Sequence, residues 1–271
     1  MKKRTNIISC FLFIACLNFT SVCAEEFREL NFKLFDAAKQ GDVQRVKQLI
    51  EQGASVKARN RIGNSALVYA ATAGNIELVK YLVDKKSEVN LINTRGENAL
   101  MAASKSGYID VVKYLLEQGA GVNQFSFKNV TALTEAVYGE HIKIVKLLLE
   151  HNAKVDVVDN TGKTALIYAA ANGNLEIIKH LLLKTENVNQ KYGNDLTALM
   201  WASGYGHIDV VTLLLDAGAD VNLQDDRGRS ALMMAAEIGY ADVVETLLEY
   251  NADSGLKDNE GKTAHDLAAG T

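Results

Sequence analysis

Apolar residues in this chain fall into columns. Leu34, Leu67, Leu100, Leu133, Leu166, Leu199 and Leu232 stand 33 residues apart, and three residues after each comes Ala37, Ala70, Ala103, Ala136, Ala169, Ala202 and Ala235. Val46, Val79, Val112, Val145, Ile178, Val211 and Val244 make another column, and Leu49, Leu82, Leu115, Leu148, Leu181, Leu214 and Leu247 a further one. The stretch Asp159–Lys191 shows what one period encodes. Asp159–Gly162 reads as a tight turn, Thr164 caps a short helix that starts at Ala165, and Gly173 ends that helix in the left-handed conformation. Ala169 and Ala170 sit where a second helix must come close. Leu175, Ile178, Leu181 and Leu182 then recur at near-helical spacing and predict the buried stripe of a second, longer helix.

A single helical hairpin cannot cover its own apolar face, so a repeated one buries each stripe against the next and the core becomes a continuous seam. The period places units at 27–59, 60–92, 93–125, 126–158, 159–191, 192–224 and 225–257, with a partial unit at 258–271. The ends differ from the middle. The first unit lacks the turn Gly, and Glu25–Lys33 is expected to extend its first helix. In the last, His265 takes the place of the column Leu, and the sequence ends before a second helix.

Turn, short helix, Gly, longer helix, then a loop such as Gly218-Ala219-Asp220-Val221-Asn222: this order resembles the ankyrin repeat, over essentially all of residues 27–271. The resemblance implies an all-α solenoid of stacked helix-turn-helix units with hairpin-like loops projecting from one edge. It also implies a protein partner held by the turn tips and the inner face of the first helices. The chain departs from the family pattern in two columns. The family's Thr-Pro-Leu-His has Ala in its Pro place in Ala66, Ala99, Ala132, Ala165, Ala198, Ala231 and Ala264, and there is no Pro in the chain. Ala keeps the helix but gives up the preset φ of Pro. The His place holds Val68, Met101, Thr134, Ile167, Met200 and Met233, so the family's Thr-to-His bond is lost and packing must compensate. Asn129 and Asp195 stand where other turns have Gly, and both tolerate positive φ better than other side chains. At Gly139-Glu140 the helix-ending Gly comes one residue early, which makes unit 126–158 the expected weak point.

The first residues follow a different pattern. Lys2, Lys3 and Arg4 precede an apolar run from Ile7 to Leu17, and Val22-Cys23-Ala24 offers small residues for cleavage, so 1–24 reads as a secretory signal and the mature chain as exported, periplasmic or secreted. Lipidation at Cys16 is the competing reading, disfavoured by Phe13 where a lipobox has Leu. No later segment is apolar enough for a transmembrane helix. All three Cys lie inside this segment, and its removal turns 29 cations against 33 anions into 26 against 33. The mature chain would then have no disulfide and a clear acidic excess, which disfavours nucleic acid as a partner. The hydrophobic share of 48% with 23% charged residues is the balance of a folded chain.

Catalytic and cofactor chemistry finds no support. The five His residues do not cluster: His141 and His207 stand between helices, His151 in a loop, His180 on a second helix and His265 at the end. Gly162-Lys163-Thr164 tempts a phosphate-loop reading, but the preceding Gly spacing is missing and the same place recurs as Gly228-Arg229-Ser230 and Gly261-Lys262-Thr263. No catalytic, cofactor or metal residue is therefore expected. What remains is surface. Phe125, Phe127, Tyr138, Tyr192, Trp201 and Tyr205 fall near tips or first helices of three neighbouring units and are candidates for one aromatic anchor. The alternative is that Trp201, like Tyr69 and Tyr168 in its column, simply packs between units. Arg61, Arg95, Lys128, Lys163, Arg227 and Arg229 form a run of tip cations on an acidic molecule. The expected protein is a monomeric, non-catalytic binding module. Alternatives are an effector secreted toward a host, an immunity protein against a toxin, and a ligand-binding receptor or enzyme accessory.

Overall fold

The computed structural model describes residues 25–269, so the expected signal segment 1–24 lies outside the described residues. The chain is helical over 25–40 (α1), and fourteen further helices follow. They are α2 Val43–Glu51, α3 Ala66–Thr72, α4 Ile76–Asp84, α5 Ala99–Ser106, α6 Ile109–Glu117, α7 Ala132–Tyr138 and α8 Ile142–Glu150. Then come α9 Ala165–Ala171, α10 Leu175–Leu182, α11 Ala198–Gly204, α12 Ile208–Asp216, α13 Ala231–Ile238, α14 Ala241–Glu249 and α15 Ala264–Ala268. Odd-numbered helices pack on odd and even on even, giving a row of short first helices and a row of longer second helices. Among the described residues β structure is limited to three isolated bridges, Phe125 to Thr131, Tyr192 to Leu196 and Gln224 to Ser230. The all-α solenoid expected from the period is the observed fold.

Each short helix begins at the Ala that stands in the Pro place, capped by the residue before it. Ser65, Asn98, Thr131, Thr164, Thr197, Ser230 and Thr263 each accept a hydrogen bond from the backbone N–H three residues on. The residues in the His place, Val68, Met101, Thr134, Ile167, Met200 and Met233, are all buried, so the lost hydrogen bond is replaced by apolar packing as expected. Thr134 also keeps a side-chain bond, with its Oγ1 3.0 Å from that of Thr131.

The columns are the core. Every Leu from Leu34 to Leu232 and from Leu49 to Leu247 is buried, and so are the Ala residues between the rows. The pattern differs from expectation in two places. Val244 is only half-buried, because among the described residues no second helix follows α14 to cover it. In α10 the buried stripe is Ile177, Ile178 and Leu181, while Leu175 and Leu182 are half-buried.

Two Ser hydroxyls in the seam, Ser104 and Ser203, are fully buried without a hydrogen-bond partner where Ala71, Val137, Ala170 and Ala236 stand in other units. A buried hydroxyl without a partner costs about 1–3 kcal/mol. Ser203→Ala should therefore raise the thermal midpoint; an equal or lower midpoint would show that the hydroxyl is satisfied.

Asn129 and Asp195 are left-handed as expected, and Glu140 joins them. Asn129 (φ 56°), Asp195 (φ 61°) and Glu140 (φ 57°) take the conformation that Gly takes elsewhere. Glu140 is tolerated for a readable reason. Where Gly closes a first helix, the next unit often lays a ring over it: an added Cβ at Gly173 would meet the His207 ring at 2.5 Å and one at Gly74 the Tyr108 ring at 2.3 Å. In the matching place after Glu140 stands Asn174, which is no ring. The closing bonds of α7 are kept, with Glu140 N–H to Val137 O at 3.0 Å and His141 N–H to Ala136 O at 2.9 Å.

The irregular junction lies one unit later instead. Second helices elsewhere close with a residue at positive φ, such as Gly53, Lys86, Gly119, Asn152, Gly218 and Asn251, followed by a small residue whose N–H reaches back to the last column Leu. In unit 159–191 those places hold Thr185 and Glu186. A β-branched Thr resists the left-handed conformation, so the return bond is absent and the Thr185 hydroxyl donates to Leu181 O at 3.0 Å in its place. The exposed Glu186 leaves the Ala socket empty, opening a crevice of about 460 Å³ lined by Leu149, Ala153, Asp156, Thr164, Lys184 and Tyr192, among others. The tip of the next unit is irregular too. Backbone bonds join neighbouring tips at Thr94 to Ile62, Phe127 to Arg95, Asn160 to Lys128, Asp226 to Asn194 and Asn259 to Arg227, but none joins Gly193 to Thr161.

Candidate functional site

The turn tips are built by one device. The first residue of a turn folds its carboxylate or amide back on the backbone: Asp159 Oδ1 accepts from the N–H groups of Thr161 (2.8 Å) and Lys163 (3.1 Å), and Asp225 Oδ1 accepts from those of Arg227 (2.9 Å) and Arg229 (2.8 Å). Tyr192 holds this place in its own unit and cannot do so. Asp159 also takes 2.6 Å and 2.7 Å hydrogen bonds from the hydroxyls of Tyr168 and Thr161. Burial alone would raise its pKa, but these donors outweigh burial and hold the carboxyl below the usual range. Burial and the same bond push the Tyr168 phenol up.

Above the tips the first-helix row forms a groove whose two halves differ in chemistry. The half from unit 27–59 to unit 126–158 encloses about 530 Å³ and sets charged groups, Lys39, Arg95, Glu97, Lys105 and Glu135, beside apolar ones such as Val68, Tyr69 and Met101. Lys105 Nζ lies 3.5 Å from the Glu135 carboxylate. Burial raises the pKa of Glu135, Lys105 draws it back down and Glu97 adds to the rise.

The other half is aromatic. Tyr138 packs edge-on against Tyr168 at 5.9 Å between centroids, and Trp201 stacks on Tyr205 at 5.9 Å and 8°. Lys163 Nζ bridges the two pairs, 5.6 Å from the Tyr168 ring and 5.1 Å from the Trp201 ring. Tyr205 continues onto His207 at 6.3 Å. Tyr138 is 62% and Tyr205 54% exposed, so the strip has one face in the seam and one in solvent.

The candidate residues therefore separate. Tyr138, Trp201 and Tyr205 come together with Lys163, and Tyr168, which stands in the same column as Trp201, joins them. Phe125 and Phe127 project from a tip at 60% and 66% exposure and make no ring contact with the strip. Tyr192 lines the crevice beside Thr164 and Lys184. The tip cations are also divided. Arg95 pairs with Glu97 at 2.9 Å, Arg227 with Asp225 at 3.2 Å, and Arg229 forms a close two-pronged pair with Glu237. Among the described residues Arg61 and Lys128 are in no ion pair.

The His residues serve the frame. His141 Nε2 lies 3.0 Å from Lys105 O and His207 Nε2 2.8 Å from Ala171 O, each tying a second helix to the unit before it. No His, Cys, Asp and Glu grouping suited to a metal occurs among the described residues, and no described helix is long and apolar enough to cross a membrane.

Comparison with known proteins agrees with this architecture. A search among curated proteins finds no match. The model of the family described as ankyrin repeats (3 copies) matches residues 34–126, 123–192 and 199–270, and the gap between the last two matches falls on the irregular tip around Gly193. With most of its length covered by that family model and its described residues folded as stacked helix pairs, the chain belongs to the ankyrin repeat family.

Proposed function

We propose that this chain is a non-catalytic module that holds another protein against the first-helix row of units 126–257. Ankyrin repeats are generally protein interaction modules. The observation that carries the reading here is the continuous strip Tyr138, Tyr168, Lys163, Trp201 and Tyr205, in which exposed rings are held rigid by neighbours in the seam. Rigid aromatics supply contact area at small entropic cost and are the usual anchors of interfaces. Phe127, Arg61 and Lys128 at the tips would supply the rim. Replacing Phe127, Tyr138 and Tyr205 together by Ala should abolish capture of the partner from an extract of the source cell while leaving the helical content unchanged. Unchanged capture by the folded variant would overturn the reading.

The same proposal places the module outside the cytoplasm. Its support is the sequence of residues 1–24, a basic start and a compact apolar run. The purified exported protein should have the mass of a chain beginning at Glu25; a mass including Met1–Ala24 in the exported fraction would contradict it.

A further inference from the structure

The aromatic half of the groove ends in a cavity of about 460 Å³ between α11 and α13. Its floor is made by the less exposed Met200, Trp201 and Met234, and the exposed Tyr205, Ile238 and Arg227 stand at its mouth with Arg229 and Glu237. One lining residue differs in kind from its counterparts. Gly204 occupies the place that holds Thr72, Lys105, Tyr138, Ala171 and Glu237 in other units. Nothing in the fold requires a Gly there. Its φ is not in the left-handed region, and an added Cβ would meet only the Cβ of Met234 at 3.8 Å, an ordinary contact. Gly weakens a helix relative to Ala, so a Gly with no steric or conformational demand is a loss to the helix. What its missing side chain provides is the space.

The charge at the mouth is unbalanced in its exposure. The Asp225 side chain is 1% exposed beneath Arg227, and its oxygens are taken by the backbone and by that guanidinium, whereas the Arg227 side chain is 63% exposed. Glu237 is engaged two-pronged by Arg229. Beside Trp201 lies the Lys163 ammonium. The Glu237 side chain is 38% exposed against 20% for Arg229, so one carboxylate also faces outward, and Arg227 and Lys163 are the cations left to meet a ligand.

Resting on the reading of the first-helix row as a protein-binding face, we propose a more specific role for this cavity. It is a socket for one bulky apolar side chain of an extended, acidic segment of the partner, whose carboxylates meet Arg227 and Lys163. The apolar floor sets the size of the inserted side chain, and the cations set the sign of its neighbours.

Trp201 is the only Trp of the chain and lines the socket, so its fluorescence reports occupancy directly. Random twelve-residue peptides displayed on phage are selected on the immobilised full chain, and the enriched sequences are synthesised and titrated against it. The expected result is a shared Leu, Ile, Met or Phe beside Asp or Glu. Binding should change Trp201 emission, weaken at least tenfold in Gly204→Leu and weaken several-fold in Arg227→Gln. Gly204→Ala, which fits the free fold, should keep or raise the thermal midpoint while also weakening binding. Peptides that bind Gly204→Leu and Gly204→Ala as well as the parent, yet are lost on Tyr138→Ala, would overturn the socket and leave the wider reading standing. Peptides indifferent to all these variants would overturn both. Enrichment of basic peptides, or of none, would overturn the socket.

Discussion

Leu181→Ala is expected to cost about 2–5 kcal/mol, the range for removing a buried Leu from a packed core. Leu181 is fully buried in α10 within the column that includes Leu148 and Leu214. The seam joins units one to the next, so a loss in one unit also weakens its interfaces with both neighbours. Unit 159–191 already lacks the return bond at the end of its second helix, and the carbonyl of Leu181 itself is held by the Thr185 hydroxyl. The denaturant midpoint should fall sharply, and the transition should broaden or split as units 192–257 separate from the rest. A loss below 1 kcal/mol with a single sharp transition would show that the seam is not continuous here.

Gly173→Val is the second large effect, expected at about 2–5 kcal/mol from two sources. A β-branched side chain at φ 70° pays for the left-handed conformation, about 1–2 kcal/mol, and the added Cβ must displace the His207 ring, an overpacking cost of about 1–3 kcal/mol. Displacing that ring also breaks the 2.8 Å contact between His207 and Ala171 O that links two units. Gly239→Val separates the two costs. Gly239 has φ 90° but nothing within 4 Å of an added Cβ, since among the described residues no second helix follows α15 to bring a ring over it. It should pay only the conformational part, so equal losses for the two substitutions would contradict the role given to the ring.

The fold could be read from the sequence because a period of 33 residues writes the same physical decision many times. Leu, Ala and Val columns fix which face of each helix is covered, and one turn residue and one cap per unit fix where helices begin. Single departures were legible only when their partner was also seen. The early Gly139 is visible in the sequence, but the reason Glu140 tolerates positive φ lies in Asn174, which stands where other units place a ring. Thr185 and Glu186 leave no mark on the period because neither breaks the apolar columns, although together they remove a helix closure and leave a socket unfilled.

The face was less legible than the fold. Exposure of Tyr138 and Tyr205 followed from their place before the closing Gly, whereas the strip depends on how Lys163 of one unit reaches the ring of Trp201 in the next. That relation runs between units and across 38 residues, beyond the reach of a column-by-column reading. The cation run is divided for a similar reason: Asp225, Glu97 and Glu237 pair with Arg227, Arg95 and Arg229, a relation the columns do not show.

The most direct test of the account is site-specific photo-cross-linking in the source cell. A photoreactive phenylalanine is placed at Tyr138 on the first-helix row or at Leu183, which is 78% exposed at the end of α10 on the second-helix row. The account predicts a discrete cross-linked partner from position 138 and none from position 183. Cross-linking from position 183 with none from position 138 would contradict it.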